Sequence, residues 1–346
     1  MRAMPVDTIN ELDEAGEARL YRSLRDFWHP VAYSAEVGER PAPATLLDEQ
    51  LVLVRLDGGI RCFRDLCVHR GTALSLGWVE DEQLRCAYHG WTYGPDGVCT
   101  QIPARFGSNV PSRAKLTAFR CEERDGLVWV CLSGEPRAPI PSFPEFAASG
   151  YRTVAIPAYD WSCAAPRRLE NFVDFVHFAW VHDGLLGSRD HPEVPEHEVW
   201  REGSELRFFQ KVVEPLEGAT KEDLKTDADT VEVENTYRLT MPLSIYLNRK
   251  FPGDDHYILT MNASPMSAKR TRSFSFIGRN FALGAPDEKF VDFERVILEQ
   301  DQPVVESQRP EELPVDLSAE LHIRGVDRVS LEYRKWLVEL AGLTRS

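Results

Sequence analysis

The feature that most restricts this chain is a set of four metal-binding side chains arranged as two mixed pairs. Cys67-Val68-His69 is followed by sixteen residues and then by Cys86-Ala87-Tyr88-His89, each pair beside a turn. Two thiols and two imidazoles also suit tetrahedral zinc. Zinc spacings, however, ordinarily join Cys with Cys and His with His. One Cys with one His, twice over, fits a [2Fe–2S] centre whose two irons take two thiolates and two imidazoles respectively. Neutral imidazole in place of charged thiolate makes such a cluster less negative and raises its potential.

The texture around these pairs is that of a small antiparallel β-domain. Short β-rich runs at Ala44–Leu47, Gln50–Val54, Leu84–Tyr88, Leu116–Arg120 and Leu127–Leu132 are separated by turn signals at Asp57-Gly58-Gly59, Pro95-Asp96-Gly97 and Asp125-Gly126. A helical period precedes them, from about Glu11 to Phe27, and a Pro-rich stretch from Glu135 to Pro144 reads as a boundary. Helix is expected over Leu169–Val181, Phe290–Gln300 and Leu331–Leu340, and longer strands over Val199–Val213 and Val231–Phe276. The expected division is a helical segment at 1–26, a cluster domain at 27–135 and a second domain at 136–346. Strands in runs with segregated helices imply an α+β chain.

A second concentration of chemistry is Glu170-Asn171-Phe172-Val173-Asp174-Phe175-Val176-His177, with His182 five residues further on. Asp174 and His177, at i and i+3, share a helix face. His177 and His182 would lie about 140° out of phase on a regular helix, so they converge only if the helix bulges or ends between them. Read alone, the stretch is equally an amphipathic helix with ordinary histidines. A facial triad for Fe(II) would need one carboxylate more, and Glu299, Asp301 and Glu306 are candidates in one downstream segment. Pro303 removes a helical hydrogen bond to Glu299, and a local helix break is expected there.

Taken together, these motifs resemble the α-subunit of Rieske non-haem iron oxygenases over essentially the whole chain. His69-Arg70-Gly71 and His89-Gly90-Trp91 look like that family's two cluster loops, and E-N-x-x-D-x-x-H-x₄-H matches its iron motif at every fixed position. The resemblance implies an all-β Rieske domain followed by a helix-grip (START-like) catalytic domain built on an antiparallel sheet. It implies cluster ligands Cys67, His69, Cys86 and His89, with Trp91 covering one side and Gly71 and Gly90 letting the backbone approach the sulfurs. It implies iron ligands His177, His182 and Asp301, with Asn171 and Asp174 as catalytic residues. Asp174 would link His177 to His89 of a neighbouring subunit in a head-to-tail α₃ trimer, because the two centres of one chain are too distant for fast electron transfer. Gln101–Ala104, Pro141–Glu145, Asp327-Arg328 and Tyr333–Trp336 look similar to saxitoxin-pathway Rieske hydroxylases among the single-subunit members.

The expected reaction is hydroxylation or oxidative demethylation of a small cyclic compound with O₂. Ring cis-dihydroxylation is the alternative, and a non-catalytic Rieske electron carrier the alternative from another class. The triad of His177, His182 and Asp301 argues against the carrier. No G-x-G-x-x-G stands between a strand and a helix, so NAD(P)H is expected to act only through a partner, a flavin reductase with or without a ferredoxin. Between Arg61 and Arg120 the charge balance is +3 in a chain of −15, a local bias that would steer an acidic ferredoxin. That same net charge argues against nucleic acid as a partner. The acidic N-terminus, the lack of a long apolar run and seven cysteines without a disulfide framework lead to the expectation of a cytoplasmic protein off the membrane. Cys62, Cys99, Cys121, Cys131 and Cys163, outside the motif, read as small buried hydrophobes. Met241, Leu243, Ile245, Tyr246, Leu247, Phe251, Tyr257, Met261, Phe274 and Phe276 are candidates for a cavity wall, and 184–198 for an entrance loop.

Overall fold

Four of the turns that shape the cluster domain are tight two-residue hairpins with both residues left-handed. Asp57-Gly58 joins β3 (Glu49–Leu56) to β4 (Gly59–Arg64), and Asp125-Gly126 joins β9 (Ala118–Arg124) to β10 (Leu127–Cys131). This conformation matches the twist of the flanking strands, and Asp-Gly supplies it cheaply. Leu47-Asp48 and Asp81-Glu82 make the same turn without glycine, joining β2 (Ala42–Leu46) to β3 and β5 (Trp78–Glu80) to β6 (Gln83–Arg85). A computed structural model describes residues 16–104, 109–194, 196–215 and 222–343. Two compact units emerge: Leu24–Ile140 with Ser264–Ser267, and the remainder.

In the first unit, β1 (His29–Tyr33), β10, β9, β4, β3 and β2 form a six-stranded sheet. A second sheet runs β5, β6, β7 (Thr92–Tyr93), β8 (Cys99–Gln101). Val52, Val54, Leu56, Phe63, Leu84, Tyr93 and Leu116 pack into one core with Cys67 and Cys86. The run expected from Leu84 to Tyr88 ends at Arg85, because Cys86 begins a loop. The expected helix at 11–27 is helical over 16–23 and tightens to a 3₁₀ turn at Leu24–Asp26, while 11–15 lie outside the described residues.

The second unit is an antiparallel seven-stranded sheet in the order β11 (Arg152–Trp161), β17 (Arg270–Arg279), β16 (Asp255–Ser267), β15 (Ser244–Phe251), β14 (Thr230–Thr240), β13 (Glu205–Pro215), β12 (His197–Glu202). Strand β11 was not expected from the sequence. In β14 alternate residues from Val231 to Leu239 are buried, the period of a strand with one covered face. Helices α1 (Ala165–Val173), α2 (Phe178–Val181), α3 (Asp287–Ser307) and α4 (Arg328–Leu340) belong to the same unit, as do the helical residues 16–23. The buried stripe of α3 is Phe290, Glu294, Ile297, Asp301 and Val305, spaced as one helix face requires. Phe290 packs against Ile156, Val233, Tyr257 and Ile277 of the sheet, which is the helix-grip arrangement.

Two local expectations are corrected. The helix expected through Val181 ends at Val173; Asp174 is extended (φ −84, ψ 128) and accepts the Val176 N–H on its own carboxylate at 2.8 Å. An Asp offering the backbone such a turn competes with helix continuation. Conversely, α3 runs unbroken through Pro303. Proline there frees only the carbonyl of Glu299, an exposed residue, whose oxygen water can satisfy.

Candidate active site

The two cluster loops are built alike. Gly71 N–H donates to the Cys67 carbonyl at 2.9 Å and Gly90 N–H to the Cys86 carbonyl at 3.0 Å. Cys67 N–H and Cys86 N–H then bond the carbonyls just after those glycines, Thr72 and Trp91, at 2.8 and 2.9 Å. Both glycines are left-handed, with φ of 73° and 68°, so their role is conformational. An added Cβ on Gly90 would meet Pro103 and one on Gly71 would meet Leu66. The His69 and His89 rings lie 4.5 Å apart, and the Cys67 and Cys86 thiols adjoin. Trp91 stacks on His69 with centroids 4.6 Å apart and planes 9° from parallel. His69 Nδ1 is buried without a hydrogen-bond partner, as an atom with a metal to bind would be. His89 and its neighbour Tyr88 are exposed. Four of the five remaining cysteines are buried as expected, and Cys121 is partly exposed.

In the second unit the break at Asp174 resolves the phase problem. His177 caps the start of α2 and His182 its end, so one short turn carries both rings, with centroids 5.1 Å apart. Asp301 projects from the buried stripe of α3 between them. Its Oδ1 lies 3.5 Å from His177 Nε2 and 3.1 Å from His182 Nε2. The ligand atoms of the three residues all lie within 4.8 Å of one another, so together they could hold a metal ion. His182 Nε2 and Asp301 Oδ1 face each other without hydrogen-bond geometry, and both are buried without a partner. On the far side of each imidazole stands an acceptor: Asp174 Oδ2 is 3.2 Å from His177 Nδ1, and Gln300 Oε1 is 2.8 Å from His182 Nδ1. Both rings then carry hydrogen on Nδ1 and present the Nε2 lone pair inward. The contact of Asp174 with His177 comes from the extended turn and not from a shared helix face.

Burial opposes charge on Asp301, but His182, His177 and Arg168 outweigh it, and its carboxyl sits below the usual range. Arg168 is buried, stacked on Trp161, and donates to the Asn171 side chain and the Tyr159 hydroxyl, each at 2.9 Å. Asn171 thus lines the cavity and holds Arg168.

The cavity over the triad is walled by Ile156, Phe178, Leu186, Leu247, Met261 and Ile297 among others. Of the ten expected wall residues, Leu247, Tyr257 and Met261 face it, and the other seven are buried. From the expected entrance loop, Leu186 reaches it. The polar members Glu214, Asn235, Arg249 and Glu294 were missed. Their signal was present: Asn235 stands in the buried phase of β14 and Glu294 in the buried stripe of α3.

Residues 27–118 match the Rieske [2Fe-2S] domain, and residues 161–342 the vanillate O-demethylase oxygenase C-terminal domain. The chain is 36% identical over 330 residues to methylxanthine N3-demethylase NdmB of Pseudomonas putida, covering 92% of this chain and 90% of that one. This protein belongs to the Rieske non-haem iron oxygenases. Solved structures agree. NdmA of Pseudomonas putida CBB5 with caffeine superposes with a TM-score of 0.82 at 32% identity, covering 94% and 93% of the two chains. Its QL mutant with theobromine gives 0.82 at 33% identity, covering 93% and 92%. A Rieske oxygenase carries a [2Fe–2S] cluster and a mononuclear iron, uses O₂, acts on a small molecule and takes electrons from a partner. The donor atoms fit both groups: mixed thiol and imidazole in one unit, and imidazoles with a carboxylate in the other. Among the described residues no helix is long and apolar enough to cross a membrane.

Proposed function

We propose that this protein oxidatively removes a methyl group from a small cyclic substrate. In this reading His177, His182 and Asp301 hold the iron, and Cys67, His69, Cys86 and His89 hold the cluster. The observation that carries it is the convergence of two inward Nε2 atoms and a buried carboxylate on one wall of a largely apolar cavity. Three ligands on one face leave neighbouring positions for O₂. When bound, the two centres supply electrons and O₂ activation. The chain's own residues do the rest. Asp174 and Gln300 hold the imidazole tautomers, the apolar walls seat the ring and exclude water, and Arg168 offsets the charge of Asp301. Overall, a methyl-bearing substrate, O₂, two electrons and two protons yield the demethylated product, formaldehyde and water. The demethylase activities named for NdmA and NdmB support demethylation over other oxygenations.

Electrons would come from NAD(P)H through a flavin reductase, with or without a ferredoxin. Arg64 and Arg85 pair with Glu49 and Glu80 at 2.7 and 3.0 Å, and Arg105 lies outside the described residues, so docking would fall to other cations such as Arg70 and Lys115. Residues 27–135 and 136–346 are proposed as the electron-relay and oxygenating domains. Asp174, partly exposed beside His177, and the exposed His89 support a trimer in which these two residues of neighbouring copies meet. Cysteines that are all unpaired support a cytoplasmic location.

The test uses purified holoenzyme with a surrogate reductase and N-methylated ring compounds. Formaldehyde should form in step with substrate loss. Asp301→Ala should hold about two irons per chain in place of about three, keep the cluster spectrum and release no formaldehyde. Formaldehyde from that variant would refute the assignment.

A further inference from the structure

The end of the cavity away from the triad has its own chemistry. Gln210, Asn235, Arg249 and Tyr257 are direct cross-strand partners on β13, β14, β15 and β16, so they form a row across one face of the sheet. The row is closed from above by α3, where Glu294 accepts the Tyr257 hydroxyl at 2.7 Å. Glu294 lies seven residues before Asp301 on the same stripe, about 10 Å along the helix axis. That is room for a ring or a fused pair of rings between the carboxylate and the triad.

This end is rich in acceptors and poor in donors. The Arg249 guanidinium is engaged by Glu214. Asn235 Oδ1 is buried without a partner, and so is Gln210 Oε1 behind it. Glu294 is only 7% exposed, and burial pushes its carboxyl up despite Tyr257 and Arg249. Two guanidiniums, Arg249 and Arg168, face the cavity with these carboxylates, and both are already engaged, Arg249 by Glu214 and Arg168 by Asn171 and Tyr159. Buried acceptors that the fold leaves short of donors are expensive, and a ligand that donates relieves them. A ligand carboxylate would set two more acceptors against Glu294 and the unpartnered Asn235 Oδ1.

We infer that the substrate presents an N–H donor, neutral or protonated, to Glu294 and Asn235, and that ring compounds bearing a carboxylate are rejected. This rests on the reading that the substrate sits in this cavity over the iron. It separates two chemistries met among the relatives, the methylxanthine type and the vanillate type.

Anaerobic calorimetric titration of the holoenzyme tests it without turnover. Theobromine carries a ring N–H where caffeine carries N–CH₃, and N-methylbenzylammonium with benzyltrimethylammonium makes a monocyclic pair. Vanillate is the anionic probe. In at least one pair the N–H member should bind about tenfold or more tighter, the scale of a hydrogen bond to a charged acceptor, and vanillate should bind weakest. Glu294→Gln keeps the shape and one acceptor oxygen; the N–H preference should shrink to about threefold or less and vanillate should gain. Glu214→Gln should also improve vanillate, and the cluster absorbance reports that each variant is folded. The inference is overturned if no N–H probe binds, if vanillate or the N-methylated members bind tightest, or if both folded variants keep the wild-type preferences. An N–H preference without formaldehyde production would sink the demethylation reading alone, and formaldehyde production without the preference would sink only this inference.

Discussion

Tyr93→Phe should lower the reduction potential of the cluster. The Tyr93 hydroxyl lies 3.1 Å from Cys67 Sγ, and the side chain is fully buried. Burial first, and then the neighbouring thiols, push its phenol well above the usual value. It therefore stays protonated at any working pH and can only donate to a thiolate sulfur. Hydrogen bonds to sulfur are among the factors that set cluster potentials. Reduction adds one negative charge, and the bond strengthens with it. If about 1–2 kcal/mol of its strength is gained on reduction, removing it shifts a one-electron couple by about 40–90 mV. Phenylalanine keeps the ring that packs with Phe63, Leu84 and Leu116, so little else changes. Redox titration followed by EPR of the reduced cluster measures the shift, with unaltered g-values certifying the site. A potential unmoved within about 10 mV, or a rise, would show that Tyr93 does not donate to the cluster.

Asp174→Asn should keep both metals and the wild-type rate of cluster reduction, yet oxidise substrate about 10- to 100-fold more slowly, since it loses the charge behind His177; metal analysis with steady-state turnover checks this, and wild-type turnover would remove the bridging role. Arg334, 3% exposed, bonds both oxygens of Glu170 at 2.5 and 2.6 Å and reaches Glu320. Arg334→Met should cost about 3 kcal/mol at neutral pH, because it leaves Glu170 with only the 3.9 Å approach of Arg167 and removes one of the two guanidiniums on Glu320. Burial opposes charge on Glu320, but Arg167 and Arg334 hold its pKa below the ordinary value. Its stabilisation is therefore full above about pH 4.3 and lost as pH falls through the folded value. Urea unfolding should show wild type and variant converging in acid, and a gap that persists there would contradict the ion-pair account.

Much of this protein is legible in its linear order. Cys67 to His69 and Cys86 to His89 each lie within a single loop closed by its own glycine, so their mixed pairing can be read from spacing alone. The alternation of β14 and the stripe of α3 mark their covered faces. The failures share one cause, competition between local rules and particular side chains. Asp174 ends a helix that periodicity would continue, because its carboxylate captures the Val176 N–H. Pro303 leaves a helix intact because the carbonyl it frees belongs to an exposed residue.

By itself, the sequence determines the ligand chemistry, the family and the order of the two metal-binding units, since each rests on residue types at short, fixed separations. Tertiary structure alone decides which residues meet across long separations. It brings Asp301 between His177 and His182, sets Gln300 behind His182, and lines up Gln210, Asn235, Arg249 and Tyr257 beneath Glu294. Those meetings depend on strand register and on the rotation of α3 about its axis. A shift of one residue in register would turn every such side chain to the other face, and packing over the whole sheet sets that register.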